Sequence, residues 1–282
     1  MTSEESSGDK YKAAKVVLLA VTATILIGII PLALPPAIDW SGVFRPAALK
    51  LISDVSPYSV KGFIYPPWVA LLLLPLALLP DVVGRAALIM TNLVVFGYTA
   101  HRMGAKPLAM VFFLLSPPVL HCVVNGNIDW LVMLGFVLPS QIGLFFLVIK
   151  PQIGVAVGIY WLVEAWRVKG WREVLRVFGP VSVAMLLSFV LFGPWPFQWE
   201  RTLSFWWNAS LWPASIPVGL ALLVAAVRKR RIEYAMGASP CLSPYVLFHS
   251  WAGALLAVVE SVPETVAAVV GLWILVGIRA FQ

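Results

Sequence analysis

Asp39, Lys150 and the run Asn125-Gly126-Asn127-Ile128-Asp129 are the residues of this chain best suited to chemistry, because each is polar within or beside a long apolar stretch. A carboxylate can take the proton of a hydroxyl as that oxygen attacks. An ammonium group can offset negative charge gathering on a departing group. Each residue also has a plainer reading. Asp39 could cap a helix or lie solvated in a loop. Lys150, inside LFFLVIKPQIG, could snorkel toward lipid headgroups. Methionine in place of Lys150 is expected to keep the fold, since it preserves the apolar stem.

The elements that must position these groups are membrane helices. Hydrophobic residues make up 61% of the chain and charged residues 12%, against about 45–50% and about 25% in soluble domains. The net charge of +7 does not describe a nucleic-acid surface, because the basic residues sit in short loops between apolar runs rather than along one stripe. The first apolar run, Ala13 to Leu34, lacks a small-residue cleavage site and is long enough to remain as a spanning helix. The chain is read as a single membrane domain over residues 1–282. It has a cytoplasmic tail at 1–14, a first extracytoplasmic loop with juxtamembrane or re-entrant helices at 35–82, and a Trp-rich extracytoplasmic loop at 194–213. Cys122 and Cys241 carry no metal spacing and are expected to be small buried residues.

Basic clusters mark the cytoplasmic side. They are Lys10/Lys12/Lys15, His101/Arg102/Lys106, Arg167/Lys169/Arg172/Arg176 and Arg228/Lys229/Arg230/Arg231. An even number of crossings must separate each pair. Between the first two lie three candidate helices, 15–34, 66–80 and 83–101. The middle one is broken by Pro66, Pro67, Pro75 and Pro80 and is short for a ~30 Å core, so it is expected to begin and end on the outer side. From Lys106 to Arg167 four short helices are expected, over 107–121, 128–139, 141–150 and 151–166. Two more follow, over 174–193 and 214–227. The last pieces are 232–241, 245–259 and 263–279, which places the C-terminus outside. The fold class is therefore an all-α integral membrane bundle of about 9–10 spanning helices.

This topology brings the reactive groups to one face. Asp39 lies roughly 36 Å of helix beyond Lys15, and Lys150 roughly 26 Å from Arg167. The NGNID run, Tyr65, Arg45, Lys61 and the Trp-rich loop fall on the same outer side. A channel spreads its polar residues through the whole depth instead. Trp195, Trp199, Trp206, Trp207 and Trp212 read mainly as an interfacial belt. Asn208-Ala209-Ser210 matches a glycosylation sequon, a three-residue pattern of low specificity.

In this order the segments resemble the GT-C superfamily of polyprenyl-phosphate-sugar-dependent glycosyltransferases, most of all the bacterial polyprenol-phosphate-mannose-dependent mannosyltransferases. The resemblance rests on Asp39-Trp40 after the first helix and on Phe63, Tyr65 and Pro67 in FIYPPWVALLLLPLALLP. It continues through SPPVLHCVVNGNIDW, the Lys-Pro pair in VIKPQ, and SPCLSPYVLFHSW with His249. It implies a GT-C-like bundle in a bacterial cytoplasmic membrane with an extracytoplasmic site. There Asp39 would be the general base on an acceptor hydroxyl. Lys150, with Arg45, would meet the donor phosphate, and the sugar would be inverted on transfer. Trp40, Tyr58 and Tyr65 would line the donor and acceptor groove. So would Asn125, Asn127 and Asp129, with Gln152 and His249 completing it. The implied partners are a polyprenyl-phosphate-linked sugar, membrane lipid, and a glycan, glycolipid or protein acceptor. Where some superfamily members carry an Asp-x-Asp pair, Asp39 is followed by Trp40 and Ser41, so no cofactor and no divalent metal is expected. The competing reading is a small transporter or flippase for a lipid-linked or anionic substrate, against which stands the lack of an internal repeat.

Overall fold

The computed structural model describes residues 35–197 and 208–281. The expected first spanning helix, the cluster Lys10/Lys12/Lys15, and Trp199, Trp206 and Trp207 lie outside the described residues. Among the described residues there are helices and no strands, with one isolated bridge between Asn208 and Leu247. The fold is an all-helical integral membrane bundle.

A π-helical turn, Trp40–Phe44, runs directly into α1 (Arg45–Leu51). The Pro-rich segment forms α2 (Pro67–Ala77), eleven residues long and so only ~16 Å, about half a bilayer core. Next comes α3 (Asp81–Arg102), 22 residues with an acid in its first turn and His101 and Arg102 in its last, which suits the helix dipole. It is long and apolar enough to cross a membrane, as are α9 (Trp171–Phe192) and α13 (Val262–Ala280). α4 (Pro107–Leu114) and α5 (Pro117–Asn125) pass that test together and are bent by 53°, at a Ser-Pro-Pro break that removes backbone donors. The other elements are shorter or more polar.

Between Lys106 and Arg167 the expected four crossings are not what forms. α4 and α5 together have the length and apolarity of one bent span. α6 (Asp129–Gly135) and α7 (Ser140–Leu147) have seven and eight residues, roughly 10–12 Å each, too short to cross. They make a hairpin that enters the bundle and returns, so that Asp129 and Lys150 meet at its two ends. Glycine permits the hairpin: a Cβ on Gly135 or Gly143 would strike the other's carbonyl oxygen, so the two backbones pack in direct contact. α8 (Pro151–Lys169) follows, 19 residues long, with Arg167 and Lys169 in its last turn.

The remaining helices are α10 (Ile216–Lys229), α11 (Ile232–Cys241) and α12 (Ala252–Leu256), which follows a 3₁₀ turn at Phe248–Trp251. The three described basic clusters gather at one end of the bundle. Arg167 donates to Val227 O at 2.7 Å, Arg230 lies 3.9 Å from Glu164, and Arg231 pairs with Glu260 at 3.1 Å. Gly104, in the 101–106 loop, lies against Glu260. The Arg231–Glu260 pair also shows that the chain leaves this end after Arg231 and is back by Glu260. Cys122 and Cys241 are buried free thiols.

Candidate active site

At the opposite end, chain breaks dictated by proline and glycine collect the polar side chains. Pro151 opens α8 and forces the residue before it out of helical backbone, so Lys150 sits extended (φ −137°, ψ 89°) between α7 and α8. Gly126 ends α5 in the left-handed region at φ 67°, where glycine carries no Cβ penalty. The chain then turns through Asn127 into α6, whose first residue is Asp129.

Lys150 and Asp129 form a fully buried ion pair, with side-chain exposures of 1% and 0%. Two such charges persist away from water only when paired and further hydrogen-bonded, and both are. Lys150 Nζ donates to Asn127 Oδ1 at 2.5 Å and to His249 Nε2 at 3.3 Å. Ser250 Oγ donates to Asp129 Oδ2 at 3.0 Å. Asn127 in turn donates from Nδ2 to Asp39 Oδ2 at 2.6 Å. Asp39 is half-buried at the start of the π-helical turn. A single run of polar contacts thus links Asp39, Asn127, Lys150, Asp129, Ser250 and His249.

Ammonium nitrogen has no lone pair, so His249 Nε2 must accept and its ring proton lies on Nδ1. That atom is 3.2 Å from His121 Nδ1, which then accepts, and the two rings stack at 5.4 Å. Asn125 Nδ2 lies 3.1 Å from His121 Nε2. Tyr65 covers the cation, with Lys150 Nζ 5.8 Å from its ring centroid. Tyr58 donates from its hydroxyl to Tyr65 O at 2.8 Å and stacks on Trp195 at 5.5 Å. Burial pushes the Tyr58 phenol up, which keeps it neutral and a donor.

Some expected residues sit elsewhere. Trp40 is fully buried against Gly126 and Gly84, so it anchors the loop that carries Asp39 rather than lining an open groove. Arg45 is engaged at 3.6 Å with Asp81 and at 3.3 Å with Leu79 O, outside the polar run. Gln152 is half-buried in the first turn of α8 and makes no side-chain hydrogen bond among the described residues. Lys150 does not snorkel; its ammonium group is the buried end. Trp195 is buried rather than part of an interfacial belt. The sequon Asn208 has its amide nitrogen bonded to Pro244 O at 3.0 Å and its oxygen to Val246 N at 3.0 Å, so it serves to fasten the 244–247 segment.

Three residues escaped the sequence reading. His121 shares a face of α5 with Asn125 four residues on, a spacing that was legible. Ser250 adjoins His249 and had no signal of its own. Arg85, 8% exposed, holds Pro35 O through its guanidinium group and so fixes the approach to Asp39; an arginine within an apolar helix was its signal.

Gly126 tests how tightly this end is built. A Cβ there would come within 2.6 Å of Trp40 Cβ and 3.2 Å of Ala37 Cβ, in backbone that side chains rarely adopt. Gly126→Ala is therefore expected to push the Asp39 turn aside. Displacement on the order of 1 Å costs up to ~10²-fold in rate. Turnover of Gly126→Ala should fall by at least about tenfold, while Gly42→Ala, which meets nothing, stays near wild type.

The arrangement offers one half-exposed carboxylate, tied through one amide to a buried ion pair, and aromatic walls, which suits proton removal from a hydroxyl. Neither a curated protein nor a solved structure matches the chain. The sequence model of glycosyltransferase family 87 matches residues 63–281, from the turn carrying Tyr65 through Asn127, Asp129, Lys150 and His249 to the last helix, and the chain belongs to that family.

Proposed function

We propose that this membrane glycosyltransferase moves a sugar, with mannose the first candidate, from a polyprenyl-phosphate donor to a hydroxyl of a glycan, glycolipid or protein. The observation that carries the reading is the half-buried Asp39 carboxylate joined through Asn127 to the buried Lys150. Asp39 takes the proton as the acceptor oxygen attacks the anomeric carbon. The bond from that carbon to the phosphate oxygen breaks, and the lipid phosphate leaves with the electron pair. One displacement gives inversion, and the proton on Asp39 passes to solvent. Lys150 does not itself meet the departing phosphate, because Asp129 offsets its charge and Asp129, Asn127 and His249 occupy its ammonium group; it holds the network behind Asp39. Arg45, partly exposed beside Asp81, is the cation offered to the donor. The aromatic rings of Tyr65 and Tyr58 suit a sugar face. No metal enters this scheme.

Membership in a glycosyltransferase family favours chemistry over transport. The test is purified protein in detergent with a panel of polyprenyl-phosphate sugars and alkyl glycoside acceptors, read by mass spectrometry. A product heavier by one hexose from the mannosyl donor supports the reading; donor movement in vesicles without any such product favours the transporter.

The basic end supports one sidedness. The Lys and Arg gathered there support reading that end as cytoplasmic, and we accordingly propose that Asp39 lies on the extracytoplasmic side of a bacterial cytoplasmic membrane. Single cysteines at Ser59 and Asp81, in a cysteine-free background, should both react with an impermeant thiol reagent on intact cells. Reaction at 81 only after permeabilisation would sink this placement and the re-entrant assignment of α2.

A further inference from the structure

We infer that Asn127 is the positioning residue for the Asp39 carboxylate, and that the Lys150–Asp129 pair acts on Asp39 through it. The inference rests on Asp39 being the base. Asn127 is 2% exposed, and neither its backbone nor its amide has freedom. Its N–H donates to Cys122 O at 2.9 Å, completing the cap of α5. Its Oδ1 accepts from Lys150 Nζ at 2.5 Å and from Ile128 N at 2.7 Å, which uses both lone pairs of that oxygen. The amide therefore has one permitted orientation. Flipped, it would turn its NH2 group on an ammonium group and a backbone N–H, and its oxygen on a carboxylate. With the oxygen fixed by Lys150, Nδ2 must face Asp39, and it donates to Oδ2 at 2.6 Å.

The consequence for Asp39 is directional. One carboxylate oxygen is tied, rotation about the Cβ–Cγ bond is stopped, and the second oxygen is presented for the acceptor hydroxyl. Among the described residues only Asn127 hydrogen-bonds the Asp39 side chain. Lys150 in turn has its place from Asp129, and Asp129 from Ser250 and the start of α6. The pair that looks like a structural ion bridge thus sets the aim of a side chain it does not touch. Asparagine suits the post because it is both acceptor and donor over one short side chain. Aspartate has the same shape and keeps the two accepting contacts, but it cannot donate and sets a negative charge against Asp39.

The experiment compares Asn127→Asp, Asp39→Asn and the double exchange, using a short-chain polyprenyl-phosphate mannose as donor. Positioning predicts that Asn127→Asp lowers kcat on the order of 10²-fold while donor KM stays within about threefold, because the substrate contacts are not removed. It also predicts a lowered thermal midpoint for Asn127→Asp, from like charges in contact. The double exchange should recover the midpoint, since an amide and a carboxylate again face each other, yet remain inactive, since the acid has moved next to Lys150. A merely structural Asn127 would lower the midpoint of Asn127→Asp in the same way but leave kcat per folded protein near wild type, so kcat of that single variant is the readout that separates the two roles. Wild-type kcat in Asn127→Asp, or thermal shifts that simply add in the double exchange, would overturn the inference. Activity in Asp39→Asn would instead remove the base, and the positioning claim with it. An inactive Asp39→Asn beside a fully active Asn127→Asp would leave the base standing and discard only the role of Asn127.

Discussion

Asp39→Asn is expected to leave a folded, donor-binding protein that transfers almost no sugar. Asparagine keeps the shape of the side chain and can still accept from Asn127 Nδ2, so the polar contact of 2.6 Å survives. What it lacks is basicity. Loss of a positioned general base costs ~10²–10⁴-fold in rate, whereas loss of a solvated loop acid or a helix cap costs ~1 kcal/mol of stability and little activity. Asp39 makes no side-chain cap bond, which already weakens the capping alternative. The control is Asp54, exposed at φ 52° in the same loop. Asparagine tolerates that left-handed backbone, so Asp54→Asn should remain within about twofold of wild type, as surface changes do. Asp129 does not serve as a control, because it is fully buried against Lys150. Transfer by Asp39→Asn within about threefold of wild type, far short of a general-base loss, would make the mechanism wrong.

Lys150→Met is expected to be the most destabilising of the single changes considered, contrary to the expectation from the apolar stem. The stem argument assumed an ammonium group reaching water, and the structure buries it. Methionine leaves the buried Asp129 carboxylate with the Ser250 hydroxyl as its hydrogen-bond partner and only the His249 ring, 3.7 Å away, to offset its charge. Breaking one half of a buried pair costs about 3–5 kcal/mol, a drop in thermal midpoint of roughly 5–10 °C for a chain of this size. Lys150→Met combined with Asp129→Asn removes both charges and keeps an acceptor for Ser250. It should regain most of the loss while remaining poorly active, because Asn127 then loses the partner that orients it. A Lys150→Met variant as stable as wild type would show that the carboxylate finds another partner. Partial rescue by Lys150→Arg is not expected to reach wild type, since a planar fork does not fit a point contact shared by three acceptors.

The membrane class, the orientation signals and most helix positions follow from the sequence by itself, since apolar runs, proline breaks and loop lysines and arginines act locally. Ile232–Cys241 forms where the hydropathy places it, and α3, α8, α9, α10 and α13 fall within a few residues of their expected spans. The same local signals marked Asp39, Lys150 and the NGNID run, because a polar side chain in an apolar stretch stands out whatever its partners. Partners are another matter. Whether α6 and α7 cross or turn back depends on Gly135 meeting Gly143, a contact that no periodicity contains. That Lys150 is neutralised by Asp129 rather than free for an anion depends on where the two ends of that hairpin return. The link from Lys150 to Asp39 runs through one buried amide, joining positions 39, 127 and 150 from three separate elements. Local chemistry could say that each was costly to bury; only the tertiary packing decided how the cost was shared, and so which carboxylate remained half-exposed to react.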